Sequence, residues 1–222
     1  MIDIIIITKD EDPHLVRCLA SIDNDPLFKI HSINLGDNPR IAETPGSAFN
    51  LKLQWCDNPV FTIIDSEDYF LPGALQNLIP FFQHKRFGLI YGASANHNSG
   101  KVNDLYQLPL TPEIMYNTNP IRRPVFYNRK VADYLKLFDV QTTFPEFDLN
   151  LRMWELFPCI CYQTPTIATK TKTNFHPTAI DDLNSIIYES KKRSSKYFYN
   201  AGPNLYPDSL LEPLCLPPLS TS

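Results

Sequence analysis

The chain has 222 residues, enough for one domain with a substantial buried core. Its 43% hydrophobic and 20% charged residues exclude wholesale disorder. With 20 Lys plus Arg against 24 Asp plus Glu, the net charge is −4, which excludes general nucleic-acid binding through a basic surface. No apolar run approaches the roughly 20 residues needed to span a bilayer. The opening Met1-Ile2-Asp3-Ile4 shows neither the basic region nor the cleavage site of a secretory signal. Cys18, Cys56, Cys159, Cys161 and Cys215 are scattered and contain no C-x-x-C, so their spacing suggests neither a disulfide framework nor a zinc site. Free thiols fit a reducing, cytoplasmic setting.

Ile4-Ile5-Ile6-Ile7 is a continuous β-branched run and predicts a central strand buried on both faces. Asp12-Pro13 reads as an N-cap followed by Pro at the first helical position, with Leu15, Leu19 and Ile22 at helical spacing. Phe28 to Leu35 reads as a second strand, closed by Gly36-Asp37-Asn38-Pro39. A helix signal runs from about Ser47 to Trp55 with Ala48, Leu51 and Trp55 on one face. Val60 to Ile64 is another buried strand and leads directly into Asp65-Ser66-Glu67-Asp68. Leu71-Pro72 opens a helix with Leu75, Leu78, Ile79 and Phe82 inward, which Pro80 is expected to kink or shorten. Phe87 to Tyr91 is a further strand. Strands separated by helical patterns predict an α/β fold, a mostly parallel central sheet with helices on both faces. Ligands of such sheets bind outside the carboxyl ends of the strands, which places Thr8-Lys9-Asp10, Gly36-Asp37 and Asp65 to Asp68 along one rim.

The second half is less regular. Asn96 to Asn119 is polar and interrupted by Pro, as expected of a long loop or an excursion over the site. Val125-Phe126-Tyr127 reads as a strand, Arg129 to Leu137 and Asp148 to Leu156 as helices, and Cys159 to Tyr162 and Thr166 to Thr169 as strands. Ala179 to Lys196 is amphipathic with a basic end, and residues 201–222 form a Pro-rich tail.

The acidic cluster carries the strongest chemical signal. Three carboxylates within four residues repel one another unless something positive sits among them. A divalent cation with hard oxygen ligands is the natural partner, and Mg²⁺ or Mn²⁺ bridges such a cluster to a diphosphate. A solvated acidic turn capping the next helix is the plainer reading.

The order of these segments resembles family 2 glycosyltransferases, inverting enzymes of the GT-A fold. The matching stretches are Asp3 to Asp10, Leu15 to Ile22 and Phe61 to Asp68, the last continuing through Tyr69-Phe70-Leu71-Pro72-Gly73-Ala74-Leu75. Pro145-Glu146-Phe147-Asp148-Leu149-Asn150-Leu151-Arg152 resembles the family's E-D-x-D-L-x-x-R motif at a helix start. The resemblance spans most of residues 2 to 175 and departs from the family at several points. Thr8-Lys9-Asp10 replaces T-Y-N, Asn34-Leu35-Gly36-Asp37 stands where a D-x-G-S-like turn is usual, Glu67 replaces the second acid of D-x-D, and Pro145-Glu146 replaces E-D.

The resemblance implies a GT-A-like domain over 1–200, with 1–95 as the nucleotide-sugar half and 96–200 as the acceptor and catalytic half. It implies metal-assisted transfer from a nucleotide-diphosphate sugar to a hydroxyl of a saccharide or glycolipid, as in polysaccharide biosynthesis. Glu146 stands at the family's base position, with Asp148 as the second candidate. Thr8, Asp10, Asn34, Asp37, Asn50, Asp65 and Ser66 would contact the donor. Asp65, Glu67 and His176 would hold Mn²⁺ or Mg²⁺. Glu146 reads equally as a first-turn acid favoured by the helix dipole, and His176 as an exposed loop histidine. Arg122-Arg123 reads as surface charge or as a phosphate clamp. Lys191-Lys192-Arg193 and Lys196 form a solvated helix end or a peripheral contact to anionic lipid at the inner face of a membrane. The altered acidic motifs keep a second function open, a non-catalytic GT-A-like protein that binds nucleotide sugar or carbohydrate.

Overall fold

The computed structural model describes residues 2–8, 12–22, 26–34, 44–84, 87–98, 101–103, 110, 115–116, 121, 123–169 and 184–192. The isoleucine run forms β1 (Ile2–Thr8), which pairs in parallel with β2 (Phe28–Asn34) on one side and β3 (Val60–Asp65) on the other. The remaining strands are β4 (Tyr69–Phe70), β5 (Leu89–Asn98), β6 (Lys101–Asn103), β7 (Val125–Asn128) and β8 (Cys159–Thr169). All join one sheet in the order β2-β1-β3-β7-β5-β8-β4, with β6 paired to β5. β7 runs antiparallel to both β3 and β5, and β5 and β8 are parallel. Strands β2, β1, β3, β5 and β8 therefore point the same way, giving the mostly parallel sheet the sequence implies.

Helices α1 (Leu15–Ala20) and α3 (Ala74–His84) cover one face, and α2 (Pro45–Leu53), α4 (Arg129–Tyr134) and α5 (Pro145–Leu156) the other. The side-chain alternation of β1 serves both layers. Ile2, Ile4 and Ile6 pack with Cys18, Ile22, Leu78 and Phe82, while Ile5 packs with Phe49, Leu53, Phe147 and Leu149. Phe61 of β3 stacks on Tyr127 of β7 with ring centroids 5.0 Å apart, joining the two halves of the sheet inside the core. Among the described residues, no helix is long and apolar enough to cross a membrane.

Several elements differ from the sequence reading. Asp12 does not cap α1: its Oδ1 accepts from the His14 amide at 2.9 Å and its Oδ2 from the Ser66 hydroxyl, so helix α1 starts three residues later. Helix α2 starts at Pro45 under a reciprocal Thr44–Ser47 capping box and buries Ala48, Phe49 and Leu53, whereas Leu51 and Trp55 face outward. Its polar Asn50 points inward because the amide donates to the Phe138 carbonyl (2.8 Å) and accepts from the Phe138 N–H (3.1 Å). Helix α3 runs four residues beyond Pro80, with Leu78, Ile79 and Phe82 fully buried, so packing outweighs the lost backbone bond. The two short strands expected after Cys159 are one, whose register against β5 shifts around Gly92 to Ser94. Asp10, Asp37, His176, Arg122, Arg193, Lys196 and the tail 201–222 lie outside the described residues.

Candidate active site

The parallel register brings three strand ends together. Thr8 lies opposite Asn34 and Ile7 opposite Asp65, so the carboxyl ends of β2, β1 and β3 share one rim. Alternation along β3 puts Asp65 on the face of Phe61 and Ile63, the face that α5 covers. At the rim, Thr8 is buried and its hydroxyl donates to the Ile33 carbonyl at 3.2 Å; Asn34 is half-buried.

The acidic turn is sorted by its own backbone. The Ser66 amide continues the sheet ladder to the Ile7 carbonyl (2.9 Å), and the Ser66 hydroxyl is held by Asp12. Asp68 is buried and closes the turn: its amide donates to the Asp65 carbonyl at 2.9 Å, and its carboxylate accepts from the Asp65 amide at 3.2 Å. That leaves Asp65 and the half-buried Glu67 as the carboxylates presented by the turn; among the described residues Glu67 has no ion-pair partner.

The side chain that organises this site is Arg123. Continuing the antiparallel register of β7 against β3 sets Arg123 opposite Asp65. Its Nη1 lies 2.5 Å from Asp65 Oδ1, while Nε and Nη2 grip Glu146 at 3.1 and 2.5 Å in a two-point contact. Burial opposes the guanidinium charge, but Glu146, then Asp65 and Asp68, outweigh it and raise its pKa well above the ordinary value. Nearby, burial, with Glu146 adding to it, raises the Tyr127 hydroxyl well above its usual range; that hydroxyl donates to Asn150 at 3.0 Å.

Glu146 and Asp148 face different neighbours, as expected two residues apart in the first turn of a helix. Asp148 is bound by Arg152 one turn later, at 2.8 Å to Nε and 2.6 Å to Nη2. Arg152 also donates to the carbonyls of Leu135 and Leu137, bracing a turn in which Lys136 and Leu137 take positive φ. The site therefore joins Asp65, Arg123 and Glu146, while Ser66, Asn50 and Asp148 each engage a protein partner. Arg123 was legible in sequence only as one of two adjacent basic residues; its importance follows from the β7 register, which requires knowing the strand order.

No family model matches the chain, and no curated protein matches it. Among solved structures, it is similar to residues 1–349 of S. aureus TarS in complex with UDP-GlcNAc, at a TM-score of 0.62 and 13% identity over 94% of this chain and 69% of that one. The same protein in complex with UDP matches at 0.63 and 12% identity over 91% of this chain and 73% of that one. Mannosyltransferase PcManGT from Pyrobaculum calidifontis, in complex with GDP-Man and Mn²⁺, matches at 0.55 and 9% identity over 90% of this chain and 76% of that one. The chain has the GT-A fold of these glycosyltransferases.

Proposed function

We propose that the protein is an inverting glycosyltransferase that moves a sugar from a nucleotide-diphosphate donor to a hydroxyl of a saccharide or glycolipid. The observation that carries this reading is the convergence of Asp65, at the carboxyl end of a parallel strand, and Glu146, at the start of α5, on the Arg123 guanidinium. The bound nucleotides of the neighbouring structures support a donor of this class.

The donor set of the acidic turn fits a hard divalent ion: Asp65 and Glu67 are oxygen ligands two residues apart on a tight turn, and Asp68 fixes that turn without being needed as a ligand. Asp65 and Glu67 would hold Mn²⁺ or Mg²⁺, with His176 a further candidate, and the ion would supply Lewis-acid stabilisation of the leaving diphosphate. Thr8 and Asn34, with Asp10 and Asp37, would border the nucleotide. Glu146 accepts the proton of the acceptor hydroxyl as that oxygen attacks the anomeric carbon from the face opposite the diphosphate, and a single displacement inverts the configuration. Arg123 holds the Glu146 carboxylate toward the strand ends and keeps a positive charge beside the developing negative one.

The test is a thermal-shift panel of UDP, GDP and their sugars with and without Mn²⁺, followed by assay of nucleoside diphosphate release with acceptor saccharides. Stabilisation that requires the ion, together with release, is the expected result. Stabilisation without release for every acceptor would favour the non-catalytic binding protein, and no nucleotide binding would overturn both readings.

A further inference from the structure

A second cluster of ligating side chains lies at the opposite end of the same strands. Asp3 on β1, His31 on β2 and Cys56 in the turn after α2 bring a carboxylate oxygen, an imidazole nitrogen and a thiol sulfur all within 4.8 Å of one another. Asp3 is four residues upstream of Ile7, the partner of Asp65, so the cluster stands roughly 13 Å from the acidic turn. It takes no part in the glycosyl-transfer site.

The geometry points to a site for one zinc-class divalent ion, held by Asp3, His31 and Cys56 with water as the fourth ligand. Three features carry the inference. The donor set is mixed nitrogen, sulfur and oxygen, which selects a borderline-soft ion over Mg²⁺ or Mn²⁺. The cluster is enclosed: Asp3 is fully buried, Cys56 is 5% exposed and the His31 side chain is 9% exposed. Its scaffold is pre-set. The Asn58 amide and side chain donate to Asp3 at 2.8 and 3.1 Å, and Arg129 donates to the Leu53 and Cys56 carbonyls at 2.9 and 3.1 Å. These second-layer bonds orient the carboxylate and fix the loop that carries the thiol.

Protons hold the ion's place. His31 Nε2 and Asp3 Oδ1 are 2.7 Å apart, the separation of a hydrogen bond. A tetrahedral zinc ion sets such ligands roughly 3.4 Å apart, so the pair must open by about 0.7 Å. Burial, and then Asp3, push the Cys56 thiol up to about 12, against the pull of Arg129, Lys29 and Lys52, so without an ion the sulfur keeps its proton. Zinc binds a thiolate and a ring nitrogen that carries no proton, so binding releases protons to solvent and affinity rises with pH.

The whole chain, stripped with chelator and dialysed against Co²⁺, tests this. With excess Mg²⁺ present to occupy the acidic turn, one cobalt per chain with a thiolate-to-cobalt charge-transfer band is expected, displaced by stoichiometric Zn²⁺ and untouched by excess Mn²⁺. Cys56→Ser, with folding confirmed by thermal unfolding, should lose the band and bind zinc at least about tenfold more weakly, and His31→Gln should also weaken binding. Absence of stoichiometric metal, a spectrum without the thiolate band, or a band that survives in Cys56→Ser would each overturn the site. None of these readouts depends on sugar transfer, so the result is independent of the proposed activity.

Discussion

At the scale of single residues, the contrast between Glu146 and Asp148 gives the sharpest expectation. Glu146→Gln keeps the shape of the Arg123 contact but removes the proposed proton acceptor, so it should cut transfer about 10²-fold or more while donor binding persists. Asp148→Asn weakens the Arg152 brace instead and should lower stability by about 1–3 kcal/mol, with transfer per folded molecule retained. Steady-state kinetics and urea unfolding on both variants separate the two roles; an intact rate in Glu146→Gln would remove it as the base. A different residue contributes to the alkaline limit. Burial, then Asp68, Asp12 and Asp65, push the Cys18 thiol from 9.0 up to about 12. The unfolded chain therefore releases this proton first as pH rises, and stability, full below about pH 9, falls by about 1.4 kcal/mol per pH unit between about 9 and 12. Cys56 adds a similar slope, so urea unfolding across that window should show a shallower fall in Cys18→Ala than in the native chain.

Among elements, α2 packs closely against the segment that leads into α5. A Cβ on Gly46 would collide with the Asp139 carbonyl oxygen and lie 3.1 Å from its carbon and 3.3 Å from Pro145 Cβ. Gly46→Ala must push α2 away from the start of α5, and we expect a loss of about 1–3 kcal/mol in chemical denaturation, reduced donor affinity being a secondary effect. The same helix marks where sequence patterning stops being informative. A run such as Ile4 to Ile7 declares a buried strand because every position is apolar, and the acidic turn after β3 declares itself by charge. Helix α2 carries apolar residues on two sides, and its inward face is chosen by Asn50, a polar residue whose partner, Phe138, is distant in the chain. Arg123 was undervalued for the same reason: its partners come from β3 and α5. Local pattern thus revealed the strands and the acidic rim, while residues defined by long-range pairing needed the assembled sheet.

For the molecule as a whole, Arg123 fastens the β1 to β3 layer to α5. Arg123→Met leaves two carboxylates facing each other without the cation between them, and should cost about 1–3 kcal/mol, with Arg123→Lys recovering part of it. Hydrogen exchange should report the loss locally, through faster exchange in the first turn of α5 and unchanged protection in β1 and β3. Equal loosening of all three elements would mean that the contact is not a fastening between parts but a general contribution to stability.

The reversed strand β7 also orders events in time. As the chain leaves the ribosome, β1, β2 and β3 have emerged and can pair while Arg123 is still being synthesised, so Asp65 and Asp68 stand together before the cation that later faces them exists. Closing the long loop from β3 to β7 delivers that charge at a distance in sequence that makes it slow. The acidic rim therefore gains its counter-charge only after β1, β2 and β3 are able to pair, and until then dissolved cations screen its carboxylates.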